Sequence, residues 1–263
     1  MIRALWTAAT GLDAQQRNVD VTANNLANVN TTGFKRQRTD FHDLFYARLR
    51  EPGTSSATAG GYIPTGIQVG HGVFNVATPL IFVPGTPLPT ERGLDVMLLD
   101  KFSFFQVTLP GGETGYTRDG SFHIDANRDI VTTQGYPLTS NINVPADAID
   151  ISIGRDGTVQ AIFADQAPQD LGQIELATFP DPSGLRLLGG NLYQETTSSG
   201  TATTGNPGED QFGELQSGFL EASNVKAAEE LINLIKAQRA FEMNSRTIQT
   251  ADEMLQTTAA LRR

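Results

Sequence analysis

The three histidines, His42, His71 and His123, stand far apart, with neither an H-x-H nor an H-E-x-x-H spacing. A metal centre needs several imidazole, thiolate or carboxylate groups that converge, and this pattern supplies none. The chain has no cysteine, which excludes disulfide scaffolds, thiolate nucleophiles and Cys-type zinc sites. Asp125-Ala-Asn127-Arg-Asp129 opens like a calcium loop, but Ile130 stands where glycine is required and Tyr136 where the bidentate glutamate belongs. The stretch reads as a turn between strands. No G-x-S-x-G elbow is present, and Gly66, Gly70 and Gly72 lack the order of a dinucleotide-binding loop. No catalytic, cofactor-binding or metal residues are expected, and the chain does not read as an enzyme.

Apolar residues at fixed spacing carry a different chemistry, that of surfaces that bury one another. Leu5, Leu12, Val19 and Leu26 recur every seven residues, beside a second track of Ile2, Ala9 and Ala23 interrupted by Gln16. At the other end Leu234, Phe241, Ile248 and Leu255 repeat the interval, with Ala237 and Ala251 on the adjacent track. Two such seams predict two amphipathic helices of about 25–35 residues, roughly 40–50 Å long. The first should end near Asn28–Asn30, ahead of the turn and strand formers Thr31-Thr32-Gly33. The second should begin after Ser223 as cap, which sets Glu229 and Glu230 early, where the helix dipole favours them. Such stripes order only when covered. The spacing alone allows them to pair within one chain or with neighbouring copies.

The 263 residues, of 28.3 kDa, carry 19 basic and 29 acidic side chains, for a net charge of −10. An acidic chain repels phosphate backbones, so no nucleic-acid partner is expected. No apolar run is long enough for a membrane span. Residues 1–14 lack the apolar core and cleavage site of a secretory signal, from which a cytoplasmic protein is the plain inference. The charge is uneven: residues 1–90 sum to +2, residues 91–215 to −12 and residues 216–263 to zero. Ends and middle therefore do different work.

Between the helical ends the texture is that of short strands. Residues 52–72 are rich in Pro, Gly, Ser and Thr and read as a loop or extended arm. From about Gly66 to Phe179 hairpin spacings recur: Gln106–Leu109 before Pro110-Gly111-Gly112, Phe122–Ile124 against Ile130–Thr133, Ile151–Ile153 against Thr158–Ile162. Residues 196–210 return to loop composition, and Leu80-Ile-Phe-Val reads as a buried strand or a contact. The fold class is thus α+β, mainly β: long N- and C-terminal helices form a coiled-coil-like layer, and a β-rich region is inserted between them. The expected division is 1–33 with 221–263 as a helical assembly domain, 34–93 with 188–220 as connecting arm and β region, and 94–187 as an outer β domain. A cell-surface β module would account for the strands but not for the paired heptads.

Gly11-Leu-Asp-Ala-Gln-Gln16 and Ala23-Asn-Asn-Leu-Ala-Asn-Val-Asn-Thr-Thr-Gly-Phe-Lys-Arg36 closely resemble the N-terminal signature of bacterial flagellar rod and hook proteins. Ser223–Ile232, Gln238–Arg246 and Thr250–Gln256 are similar to that family's C-terminal helix. Leu94-Asp-Val, Phe104-Phe-Gln-Val and Tyr116-Thr-Arg-Asp-Gly-Ser-Phe match its middle. Asp100-Lys-Phe-Ser103 departs from it, standing where the family usually has Gly-x-Gly. Size, together with Phe45–Gly53 and Pro64–Gly70, favours the distal-rod branch over the larger hook type, a proximal-rod or hook-type axial protein being the alternative. The resemblance implies a homo-oligomeric helical tube lined by the terminal helices. It also implies contacts to proximal-rod and hook-side axial proteins and to the periplasmic and outer-membrane rings. Export by the flagellar type III apparatus, without a cleaved signal, would place the chain in the periplasm-spanning rod of the basal body. It singles out Asn24, Asn25, Asn28, Gly33 and Phe34 as family-motif residues where the first helix turns, and gives the arm at 46–66 the role of a wedge between subunits. The heptad residues Leu5, Leu12, Val19, Leu26, Leu234, Phe241, Ile248 and Leu255 are then the expected assembly interface.

Overall fold

A computed structural model describes residues 2–53, 62, 64–164, 166–209 and 211–260. The chain divides into two compact units: a helical unit of Met1–Leu26, Gln37–Pro79 and Ala227–Arg263, and a β unit of Ala27–Arg36 and Leu80–Lys226.

The helical unit is built on α1 (Ile2–Ala27) and α2 (Ala227–Ala260). Glu229 and Glu230 lie in the first turn of α2, where they face the positive end of the helix dipole. The start of α2 corrects the sequence expectation by several residues. Ser223 Oγ accepts from Val225 N at 3.3 Å and so closes a turn ahead of the helix. Helix geometry is refused there because Asn224 is already committed, its Oδ1 to Arg36 N and its Nδ2 to the carbonyls of Ile81 and Val83.

A two-stranded antiparallel ribbon completes this unit. Strand β1 (Asp40–Asp43) is followed by β2 (Tyr46–Arg50), β3 (Ile67–Gly70) and β4 (Val73–Ala77). β1 pairs with β4, and β2 with β3. The stretch read as loop from 52 to 72 therefore becomes ordered strand at Ile67, where Ile-Gln-Val supplies β-branched alternation. Residues 54–61 and 63, most of the Gly/Ser/Thr tip of the 46–66 arm, lie outside the described residues. The two ladders meet at a kink, bridged by Leu44 N to Gly72 O at 2.8 Å and by His71 Nδ1 donating to Phe45 O at 2.7 Å.

The β unit begins with β5 (Pro87–Pro89), β6 (Val96–Leu98), β7 (Ser103–Thr108) and β8 (Thr114–Thr117). Then come β9 (Phe122–Ile124), β10 (Ile130–Thr132), β11 (Asp150–Ile153), β12 (Thr158–Ile162), β13 (Gln169–Gln173) and β14 (Leu176–Thr178). β15 (Arg186–Gly189), β16 (Leu192–Gln194), β17 (Thr203–Gly205), β18 (Leu215–Ser217) and β19 (Phe219–Glu221) close it. The main sheet has the antiparallel order β15-β16-β8-β7-β14-β17, beside a three-stranded sheet β11-β12-β13. β9 and β10 form a hairpin, and Arg128 takes φ +70° in its turn, the left-handed place where a glycine would otherwise be expected. β18 and β19 return to pair with β6 and β5, so the last strands close against the first.

Among the described residues, both clusters of buried apolar side chains lie in the β unit. The larger includes Leu98, Phe105, Phe122, Ile130, Val159, Ile174 and Leu176. The smaller joins Phe82, Phe104, Tyr116, Phe179 and Tyr193 in edge-to-face contacts with centroids 4.8–5.7 Å apart, the geometry that ring quadrupoles favour, and one tilted contact of Phe82 with Tyr193 at 6.0 Å. Leu80 and Phe82 enter this cluster, so the apolar run at 80–83 is a packing contact outside the named strands. Among the described residues no helix is long and apolar enough to cross a membrane.

Candidate assembly interface

The two helices come together at Gly11 with Asn244 and at Asn25 with Glu230, and their buried side chains are small or polar. On α1 the fully buried side chains are Ala8, Ala14, Thr22 and Asn25; on α2 they are Glu230, Ala237 and Ala251. Asn25 Nδ2 reaches Glu230 Oε2 at 3.4 Å. At the other end a Cβ on Gly11 would come within 2.9 Å of Asn244 Nδ2. Contacts of residue 25 with 230 and of 11 with 244 make the pair antiparallel, and the glycine admits the close approach.

Leu5, Leu12, Val19 and Leu26 are half-buried on α1, one step around the helix from Gly11 and Asn18. Leu234, Ile248 and Leu255 are likewise half-buried on α2, whereas Phe241 is 39% exposed. Of these eight, Val19 and Phe241 are brought to one groove of about 440 Å³, completed by Gln16, Gln238 and Glu242. More apolar surface stands open in the same unit: Trp6 at 70%, Leu231, Ile232, Ile235, Met243 and Met254 on the helices, and Phe45 at 91% with Leu49 and Ile67 on the ribbon.

Past α1 the motif residues do separate jobs. The Asn25 carboxamide lies along the backbone of Gln37, its Oδ1 accepting from Gln37 N at 2.9 Å and its Nδ2 donating to Gln37 O at 2.8 Å. It thereby supplies a residue outside any sheet with both partners a strand would give. Asn28 Oδ1 accepts from Thr31 Oγ1 at 3.2 Å. Asn24 is exposed on α1, and Phe34 is half-buried. Gly33 is buried at φ +68°, and a Cβ there would come within 2.8 Å of Asp119 N, so both conformation and space require glycine. Its N–H donates to Glu221 O at 2.8 Å.

Two residues on, sequence reasoning missed a charged cluster. Lys35, Arg118 and Glu221 are among the largest fully buried side chains. Lys35 Nζ contacts Glu221 Oε1 at 2.5 Å, and Arg118 Nε contacts Glu221 Oε2 at 3.1 Å. Burial and then the Arg118 charge push Lys35 down to about 8, against the attraction of Glu221. Burial alone would raise Glu221, but Arg118 and Lys35 outweigh it and hold the carboxylate below its ordinary value. A signal was present in the sequence, since Lys35 and Arg118 each sit inside a family-like block, Gly33-Phe-Lys-Arg36 and Tyr116-Thr-Arg-Asp-Gly120. Patterns of seven and two do not weigh single charges, so it passed unread.

Comparison with known proteins covers both units. Residues 5–35 match the profile of the flagella basal body rod protein, residues 102–161 that of the flagellar hook protein FlgE/F/G D1 domain, and residues 216–261 that of the flagellar basal body rod FlgEFG protein C-terminal region. Flagellar basal-body rod protein FlgG of Caulobacter vibrioides is 47% identical over 99% of this chain and 100% of its own. The protein of that name from Borreliella burgdorferi is 48% identical over 97% of each. The one from Bacillus subtilis is 39% identical over the whole of both.

Proposed function

Because the chain belongs to the flagellar basal-body rod protein family, whose members are structural subunits and not enzymes, we propose that it polymerises through α1 and α2 into the helical tube of the distal rod. That tube is the shaft that transmits torque to the hook. The family places the chain in the flagellar basal body and implies polymeric assembly there. The observation that carries the finer reading is the state of the heptad tracks. Leu5, Leu12, Val19, Leu26, Leu234, Ile248 and Leu255 stay half-buried and Phe241 more open, while the buried side chains of the two helices include Ala8, Ala14, Ala237 and Ala251, and Gly11 lies against Asn244. Small residues let the two helices approach; the larger apolar side chains beside them are left for helices of neighbouring copies.

On this reading Asn24, Asn25, Asn28, Gly33 and Phe34 shape the junction from which α1 is presented. The helical layer, 1–33 with 221–263, lines the tube, and 34–93 with 188–220 connects it to the outer β region at 94–187. The ribbon, with Phe45, Leu49 and Ile67 open to solvent, wedges between subunits and keeps the tube straight. Export runs through the flagellar type III apparatus into the periplasm-spanning rod. Its neighbours are proximal-rod and hook-side axial proteins and the periplasmic and outer-membrane rings, the acidic β surface facing those rings. The test is electron microscopy of purified Leu12→Asp and Ile248→Asp chains. No tubes should form while the β unit keeps its circular dichroism; normal tubes would refute the interface. A wild-type chain that still reached the periplasm in a strain lacking the export apparatus would refute the route.

A further inference from the structure

We propose that Lys35, Arg118 and Glu221 form a latch that seats both chain ends of the β unit together, and that the single carboxylate of Glu221 holds it shut. The three residues come from separate segments: the stretch after α1, the end of β8, and β19, the last strand before α2. Their side chains have essentially no exposed surface, 0% for each cation and 1% for Glu221. Glu221 Oε1 takes Lys35 Nζ and also Gly85 N at 2.8 Å, while Oε2 takes Arg118 Nε. Its own carbonyl takes Gly33 N. Lys35 Nζ donates further to Val83 O at 3.0 Å, and Arg118 Nη1 and Nη2 donate to Ser103 O at 2.8 Å and Asp100 O at 2.7 Å.

The cluster holds two cations and one anion. The nearby Asp100 adds a weaker counter-charge from outside the ion pairs: its Oδ2 is held by Phe102 N, Ser103 N and Ser103 Oγ, and its attraction on Lys35 ranks behind that of Glu221. A buried ion set adds little net stability over apolar packing; its force lies in the penalty for leaving any member unpaired. Residues 35 and 221, which are 186 positions apart, are therefore seated together or not at all. The β unit cannot close until its last strand arrives, and the segments to which α1 and α2 are attached are fixed in the same event.

The charge count makes the variants unequal. Lys35→Met leaves one cation facing one anion, whereas Glu221→Gln leaves two cations facing each other in the dry interior. Hydrogen–deuterium exchange of the full-length monomer, read by mass spectrometry, tests this without reference to assembly. Glu221→Gln should speed exchange at 28–36 and 218–226 by about 100-fold while β7, β8 and β14 stay protected. Lys35→Met should remain within about 3-fold of wild type. The double variant should be less open than Glu221→Gln alone, because one repelling charge is gone. Protected junctions in Glu221→Gln, equal opening in Lys35→Met, or loss of protection in β7, β8 and β14 to the same degree would each overturn the latch.

Discussion

The helical unit and the β unit divide the physics of this chain between them. The helical unit carries ten basic and ten acidic residues and is neutral; the β unit carries nine against nineteen and holds the whole charge of −10. Both buried apolar clusters belong to the β unit. The helical unit meets itself through alanine, glycine and amides, and leaves Trp6, Phe45, Leu231 and Ile235 in water. On the proposed reading one unit is complete alone and the other is completed by its copies. Net charge keeps a surface solvated and apart from its copies, whereas a neutral, partly apolar one approaches its copies without that resistance.

The strongest way to break this contrast is a charge in the groove. Val19→Asp should raise the concentration needed for polymerisation by at least ~100-fold, seen by sedimentation, because a carboxylate there is desolvated without a partner. The urea midpoint of the β unit should not move. Phe104→Ala should do the converse, removing about 3–5 kcal/mol from the β unit, as for other buried aromatic truncations, in equilibrium denaturation. Third in size is pH. Lys35 binds its proton less tightly folded, at about 8, than unfolded, at 10.5. Between those values the unfolded chain holds more protons, so stability should rise with pH by about 3 kcal/mol. Lys35→Met should be flat over that window. Glu221 runs the other way: its folded value is depressed, so its contribution is present above the ordinary carboxylate value and lost as pH falls through the folded one. Smallest is salt. Raising it from about 0.05 to 0.5 M shortens the screening length and should stabilise the acidic β unit by about 0.5 kcal/mol in thermal melts, with helix content unaffected.

Both helices and the hairpins were legible in the sequence because each rests on a local period: Leu5 to Leu26 at seven, Thr158–Ile162 alternating about a Gly-rich turn. What faced what was not. The leucines mark a helix, yet it is Gly11 that lies against Asn244 of α2, because a seam is set by which residues allow approach and not by which are most apolar. The ribbon was hidden by composition. Its Pro- and Ser-rich run masks Ile67–Gly70, and pairing with Tyr46–Arg50 is a relation between segments that no window contains. Lys35 and Glu221 failed for the same reason, being 186 residues apart, and the Asn224 contacts that delay α2 are equally non-local.

Gly33 N and Glu221 O are 2.8 Å apart, so the first stretch of the β unit, Ala27–Arg36, is stitched to its last strand. Between the two the chain leaves for Gln37–Pro79 of the helical unit and returns at Leu80, so the β unit is a discontinuous piece of chain closed by its own two ends.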